Sequence, residues 1–345
     1  MFINDWIKKK NSSYIIAEIS QNHDGSLGQA HAYIDAVADA GVDAVKFQTH
    51  IAEEESTIYE PFRVKFSYAD KTRYDYWKRM EFTFEQWKGL YRHAMERKID
   101  FLSSPFSLKA LSMLDEIGVP AWKFGSGEVF NRQLLEAAIQ TGKPILLSTG
   151  LSTYEEINCQ IEAIHAGGNE LILFYCVTAY PSEAHMIDIN KIKEFSQRYK
   201  CTVGISDHSA TIYPSLAAVA LGAKVVEIHV TMSPYMFGPD VKASVTVDDL
   251  KTIVEGAHYI DRMKEVQSDL NERDHNREKL KEMFSKSFYY NKILNKNQTV
   301  GLSDITLKKP GIGISEAHIN EILGKRLNRN VDVDEIVRVE DFFNE

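Results

Sequence analysis

The stretch Gly204–Thr231, GISDHSATIYPSLAAVALGAKVVEIHVT, contains the end of one strand, a helix and a second strand. TVGIS (202–206) and KVVEIH (224–229) are short apolar, β-branched runs of the kind that fill a strand covered on both faces. Between them SLAAVALG is helical in composition and closes on glycine, as helix C-termini commonly do. His208 follows the first run and His229 ends the second. Two protonatable rings at the ends of buried strands call for a fold whose strand ends form a working surface.

The same unit recurs along the chain. Six further runs read as strands: YIIAE (14–18), DAVKFQ (43–48), DFLSS (100–104), AWKFG (121–125), PILLST (144–149) and LILFYC (171–176). Helical stretches such as LGQAHAYIDAVADAG, TFEQWKGLYRHAMERK, NRQLLEAAIQTG and INKIKEFSQRYK lie between them. Eight strands alternating with helices predict an α/β fold, a (β/α)8 TIM barrel. A doubly wound open sheet is the structural alternative, but no GxGxxG opens the first helix.

Two segments break the alternation. Residues 51–80, with EEE, YEPF and YADKTRYDYW, are too long for a simple connection and read as an ordered insertion over the barrel mouth. The last barrel helix is placed at Thr246 to Met263, closing a domain over 1–263. Charged residues 264–286 read as a helical linker. From 287 to 345 short apolar pairs alternate with turn signals, so a compact strand-rich module of small size is expected.

A chain of 345 residues, 44% hydrophobic and 26% charged, is ordinary globular protein. Its formal charge of −9 argues against nucleic acid or an anionic membrane as the main partner, so any anion site must be local. Cys159, Cys176 and Cys201 show no CxxC spacing and read as reduced, mostly buried thiols. No long apolar run follows the N-terminal lysines, and a cytoplasmic location is expected.

In a barrel the C-terminal strand ends share one face. The polar residues there are Glu18, Lys46, Gln48, Ser103, Ser104, Lys123, Ser126, Glu128, Ser148, Thr149, Tyr180, Ser206, Asp207, His208, Glu227 and His229. Taken singly, a strand-end serine caps a helix and a lone histidine is a hydrogen-bonded core residue. Lysines within two apolar strands are different, because each needs a buried anion or carboxylate to compensate it; together they suggest a preformed anion site. His208 and His229 come from strands adjacent in a closed barrel and can converge on one divalent cation, with Asp240 near enough in sequence to contribute. The residues alone leave a Schiff-base lysine, Lys46 or Lys123, and a non-catalytic binding role open.

AEISQNHDGS, VKFQTH, SSPFS, WKFGSGE, KPILLSTG, TAYPS, GISDHS and EIHVT, followed by GPD, occur in this order. This series resembles the sialic acid synthase family, whose members make N-acetylneuraminate, legionaminate or pseudaminate, with a spore-coat polysaccharide relative. The C-terminal LKKPGIGIS and ILGKRLNRNV resemble that family's antifreeze-like domain. The resemblance implies condensation of phosphoenolpyruvate with an N-acetylated hexosamine, N-acetylmannosamine or a diacetamido deoxyhexose, to give a nine-carbon 2-keto acid and phosphate. It implies that Lys46, Ser104, Lys123, Ser126, Ser148 and Ser206 hold phosphoenolpyruvate. His208 and His229 would bind the metal, Mn²⁺ first, with Mg²⁺ or Co²⁺ as alternatives. Glu128, Glu18 and His229 would serve in the chemistry, and Gln48, Tyr180, Asp240 and Lys309 would meet the acceptor. A domain-swapped homodimer is implied as well. Two positions depart from the family pattern: Lys309 stands where an arginine precedes Pro-Gly, and Thr178 where sialate-type members carry asparagine.

Overall fold

The computed structural model describes residues 12–64, 66–267, 269 and 274–343. The chain separates into two compact units, Met1–Val266 and Gln267–Glu345.

The first unit begins with β1 (Tyr14–Ser20), α1 (Leu27–Asp39) and β2 (Ala44–Thr49). The helices α2 (Ala52–Glu55), α3 (Arg73–Met80) and α4 (Phe84–Glu96) precede β3 (Asp100–Pro105). Strict alternation follows with α5 (Leu108–Ile117), β4 (Trp122–Phe124), α6 (Arg132–Gln140), β5 (Ile145–Ser148), α7 (Tyr154–Ala166) and β6 (Leu171–Cys176). It ends with α8 (Lys191–Tyr199), β7 (Thr202–Asp207), α9 (Tyr213–Ala220), β8 (Val225–Thr231), a short β9 (Val245–Thr246) and α10 (Val247–Glu265).

The eight main strands are parallel in the order β3-β2-β1-β8-β7-β6-β5-β4. The two ends of this path, β3 and β4, pack beside each other without a shared ladder, so the barrel is nearly closed. The sequence reading did not include β9, a two-residue strand paired with β8.

The side-chain period of two explains how each strand serves two environments. One parity faces outward: Ile15, Val45, Phe101, Trp122, Leu147, Leu173, Val203 and Val226 join the apolar layer under the helices. The other parity fills the barrel interior with Tyr14, Ile16, Ala44, Leu102, Leu146, Ile172, Phe174 and Val225. Continuing that inward parity towards the C-terminal ends gives Glu18, Lys46, Gln48, Ser104, Lys123, Ser148, Ser206, Glu227 and His229. The interior is therefore apolar below and ionisable above. Gly204 sits on this face because a Cβ there would lie 2.8 Å from the Phe174 ring and 2.7 Å from the Val225 carbonyl oxygen.

The segment between β2 and α4 has a cluster of its own, Ala52, Tyr76, Trp77 and Met80 with Phe62 and Phe66 packed against it. Thr72 and Asp75 close α3 with a capping box, and Arg79 ties that helix to Asp24 and Asp70. Cys159 is exposed on α7, unlike buried Cys176, because it falls on the solvent side of an amphipathic helix.

The second unit contains α11 (His275–Phe284), β10 (Ser287–Tyr290) and β11 (Ile305–Lys308). Its apolar cluster includes Phe288, Tyr290, Val300, Ile322, Leu327, Val337 and Phe342. It is poorer in strand than its composition suggests. Two four-residue strands pair antiparallel, and the remaining pairing is by isolated bridges such as Leu294 with Val331, because turns recur too closely for longer ladders. Among the described residues no helix is long and apolar enough to cross a membrane.

Candidate active site

Strand register sets the site. Glu18 of β1 is level with Lys46 of β2 on one side and His229 of β8 on the other. Ser206 of β7 is level with Glu227 of β8. Lys46 Nζ lies 2.7 Å from Glu18 Oε2 and 3.7 Å from Glu227 Oε1, and Lys123 Nζ lies 3.4 Å from the same Glu227 oxygen. The lysines also donate to serines, Lys46 to Ser104 at 3.3 Å and Lys123 to Ser148 at 2.7 Å. Each buried lysine is thus compensated by internal carboxylates, and the four charges sum to zero.

All four groups are almost completely buried. Burial pushes the Glu227 carboxyl up, but the Lys123 and Lys46 ammoniums outweigh it and hold it well below the usual range. Burial dominates at Glu18, whose carboxyl is raised despite the 2.7 Å pairing with Lys46. Lys46, with two carboxylates, is held above its ordinary value against burial; Lys123 is pushed below it by burial. Glu227 Oε2 has no hydrogen-bond partner among the described residues and is buried. Glu227 belongs with the candidate residues although the sequence reading gave it no role; its inward parity was the available signal.

His208 and His229 do converge. Their ring centroids are 5.1 Å apart, and the Tyr180 ring stacks on His208 at 4.3 Å. His208 Nδ1 lies 2.8 Å from the Val177 carbonyl oxygen, so that nitrogen carries the hydrogen and Nε2 keeps its lone pair, with Ser206 Oγ 3.4 Å away. Burial holds His208 at about 4 and also lowers His229, so both rings are neutral, the ligating form, at neutral pH. Nδ1 of His229 is buried without a hydrogen-bond partner among the described residues. This donor pair fits a divalent ion that takes its remaining ligands from water or substrate. Among the described residues no group of three or more His, Cys, Asp or Glu is arranged to hold a metal. Asp240 is engaged elsewhere, accepting from Ser20 at 2.5 Å and from Arg63 at 3.0 Å.

Three contiguous cavities open over these groups. The innermost, about 60 Å³, is lined by Glu18, Lys46, Ser104, Lys123, Ser126, Ser148, Ser206, Glu227, His208 and His229. A second, about 260 Å³, adds aromatic walls from Phe62, Phe66, Tyr76, Trp77 and Phe106, with Arg63, Thr178, Tyr180 and Asp240. A third, about 460 Å³, is acidic, with Glu54, Glu55, Glu60 and Glu128. Burial pushes the Glu128 carboxyl above its ordinary range, partly offset by a 3.0 Å hydrogen bond from Asn131.

Of the residues given a role in the sequence reading, all but one line these cavities; Lys309 belongs to the second unit, exposed, with Nζ 5.4 Å from the Phe284 ring centroid. The strand-end residues Ser103, Thr149 and Asp207 lie outside the three linings, hydrogen-bonded to Thr49, the Phe174 carbonyl and Ser215. Arg63 was missed. Its guanidinium lies 4.2 Å over the Tyr180 ring, and no local pattern in residues 51–80 marks it as a cavity residue.

A barrel with ionisable groups at its C-terminal face is an enzyme scaffold, and comparison with known proteins narrows the class. Residues 33–268 match the NeuB family model, and the chain belongs to the NeuB family. It is 32% identical over 330 residues to the N,N'-diacetyllegionaminic acid synthase of Campylobacter jejuni, covering 94% of this chain and 98% of that protein. It is also similar to the crystal structure of an N-acetylneuraminic acid synthetase from Leptospira borgpetersenii in complex with citrate. There the TM-score is 0.69 at 30% identity, over 78% of this chain and 90% of that one. A spore coat polysaccharide biosynthesis protein of Bacillus subtilis aligns with a TM-score of 0.65 at 25% identity, over 97% and 96% of the two chains. The chain is accordingly an enzyme of the sialic acid synthase type.

Proposed function

We propose that the enzyme condenses phosphoenolpyruvate with the open-chain aldehyde of an N-acylated amino sugar, giving a nine-carbon 2-keto acid and phosphate. The observation that carries this reading is the innermost cavity, where two buried ammoniums and four serine hydroxyls face a pair of neutral histidines.

In this reaction C3 of the enol forms a bond to the aldehyde carbon as the carbonyl π pair moves to the aldehyde oxygen, which takes up a proton to become a hydroxyl. Water adds at C2, and the C2–O bond to phosphate breaks to leave the ketone, the water's second proton leaving with phosphate. Lys46 and Lys123, with Ser104, Ser126, Ser148 and Ser206, bind the carboxylate and phosphate and displace part of the internal ion pairing. Glu128, raised by burial, takes the proton from the attacking water. Glu18, Gln48, Tyr180 and Asp240 orient the acceptor, and Lys309 is retained as a further acceptor contact. A divalent ion held by His208 and His229, Mn²⁺ first, supplies Lewis acidity to the aldehyde oxygen when bound. The second unit is read as the antifreeze-like module and the working state as a swapped homodimer, which mass in solution tests.

The aromatic walls of the second cavity suit the apolar groups of an N-acylated acceptor. Acetamido and deoxy methyl groups bury well against Phe62, Phe66 and Trp77, while Arg63, Thr178 and Asp240 of the same lining offer partners to the remaining hydroxyls. A diacetamido deoxyhexose is therefore the second acceptor to test beside N-acetylmannosamine. Phosphate release from phosphoenolpyruvate is measured with each sugar, with Mn²⁺ and with a chelator, and each product is weighed. Metal-dependent release with one sugar supports the reading and identifies the acceptor; no release with any N-acylated sugar overturns it.

A further inference from the structure

His50 ends the run VKFQTH and is buried between two aromatic faces. Its ring centroid lies 3.9 Å from that of Trp77 and 4.2 Å from that of Phe106, each within 18° of parallel. Nδ1 meets Glu55 Oε1 at 2.5 Å, and Nε2 meets Gln48 Oε1 at 3.3 Å. Gln48 lines all three cavities. The proposed chemistry uses Gln48 and gives no part to His50 or Glu55.

The hydrogen-bond chemistry runs in one direction. Glu18 takes the Lys46 ammonium on Oε2 at 2.7 Å, and its Oε1 accepts from Gln48. The Gln48 group 2.7 Å from Glu18 Oε1 must then be its NH₂, which turns the amide oxygen the other way. That oxygen collects donors, Gln21 Nε2 at 3.2 Å and His50 Nε2. His50 Nε2 therefore carries a hydrogen, and Nδ1 is turned to Glu55 Oε1. Glu55 Oε2 is buried with no hydrogen-bond partner among the described residues, so no other donor competes for that carboxylate. A reversed Gln48 amide would set its oxygen against Glu18 and push the carboxylate off Lys46.

We infer that His50, backed by Glu55, is a positioning residue that fixes the orientation of the Gln48 amide and through it the Glu18–Lys46 pair. The inference rests on the proposed function for its kinetic consequence but not for its geometry. It also links α2, in the segment between β2 and α4, to the lysine site through Glu55, His50 and Gln48.

Two measurements test it. In the first, His50→Leu keeps bulk between the rings without a donor, and His50→Gln restores an N–H near the Nε2 position. His50→Leu should lower kcat roughly tenfold, the loss of one hydrogen bond in a charged network, and His50→Gln should recover most of it. The double variant His50→Leu with Gln48→Leu should be no slower than Gln48→Leu alone. Additive losses, or His50→Gln as slow as His50→Leu, overturn the inference. The second measurement is independent of activity: hydrogen exchange of the Gln48 side-chain amide, assigned by its loss in Gln48→Leu. Exchange should be slow in the wild type and His50→Gln and fast in His50→Leu; unchanged exchange in His50→Leu overturns the inference. A wild type that releases no phosphate with any sugar sinks the proposed function instead, and amide exchange still decides the role of His50.

Discussion

Glu227 Oε1 lies 3.4 Å from the Lys123 ammonium at the top of the barrel interior, and the same oxygen accepts from Ser206 at 3.1 Å. One carboxylate oxygen thus neutralises a lysine and orders a serine of the same cavity. Removing the charge while keeping the shape should expose both effects. Glu227→Gln should destabilise the fold by about 3–5 kcal/mol, the usual cost of leaving a buried charge unpaired, read as a lower urea midpoint. Inorganic phosphate should raise the melting temperature more in this variant than in the wild type, because an anion then replaces the missing carboxylate. An equal phosphate effect in both proteins would count against an anion site between the lysines.

Gly150 follows β5 where a Cβ would lie 2.4 Å from Thr178 Oγ1, 2.8 Å from Cys176 Sγ and 3.0 Å from Ser126 Oγ. Its amide also donates to Ser126 at 3.1 Å. Gly150→Ala should shift Ser126 and Thr178 and raise KM for phosphoenolpyruvate roughly tenfold, as a lost hydrogen bond to a charged group does. The far-ultraviolet circular dichroism should stay unchanged.

Glu128 is the carboxyl raised by burial that acts on water in the proposed reaction. It works ionised, so activity should fall as pH drops, with a midpoint above the ordinary glutamate value of about 4.3. Glu128→Gln should lower kcat by about 10²-fold or more and remove that acidic limb from the pH profile. A limb that survives in the variant would assign the titration to another group.

Chelation should abolish phosphate release and Mn²⁺ should restore it if His208 and His229 hold a catalytic ion. His208→Asn should need more added Mn²⁺ for half-maximal rate than the wild type. Full activity in the presence of excess chelator would refute this.

His23 packs against the Phe82 ring at 4.8 Å and accepts from the Gly25 amide at 3.1 Å. Burial, followed by the charges of His50 and Arg79, lowers its pKa from 6.5 to about 3. The folded protein therefore leaves this ring neutral where the unfolded chain protonates it, and stability is lost as pH falls below about 6.5. Between pH 6.5 and 5 this one group accounts for about 2 kcal/mol. His23→Asn keeps an acceptor for Gly25 and should flatten that part of the stability curve, measured by urea unfolding at each pH.

Much of this site could be read from the strands alone. Glu18, Lys46, Ser104, Lys123, Ser148, Ser206 and His229 all carry the inward parity of their strands, and parity is a local property of sequence. Glu227 carries it too, but its charge was not assigned because only the structure shows both lysines within reach of one oxygen. Arg63, Trp77 and Phe106 were illegible for a different reason. They arrive from a loop for Arg63, from α3 for Trp77 and from the turn after β3 for Phe106, and their directions are set by distant partners, Asp240 and Tyr180 for Arg63 and the His50 ring for the other two. The second unit shows the limit of composition: its apolar pairs form a core, yet close-set turns reduce most of its strands to single bridges.

The missing ladder between β3 and β4 bears on how far the mouth of the barrel can widen. Phe106 follows β3 and Glu128 follows β4, and both line the largest of the three cavities. Every other neighbouring pair of the eight would have to surrender backbone hydrogen bonds to move apart. Here only side-chain packing holds the two edges, so the wall has a built-in expansion joint beside the largest cavity.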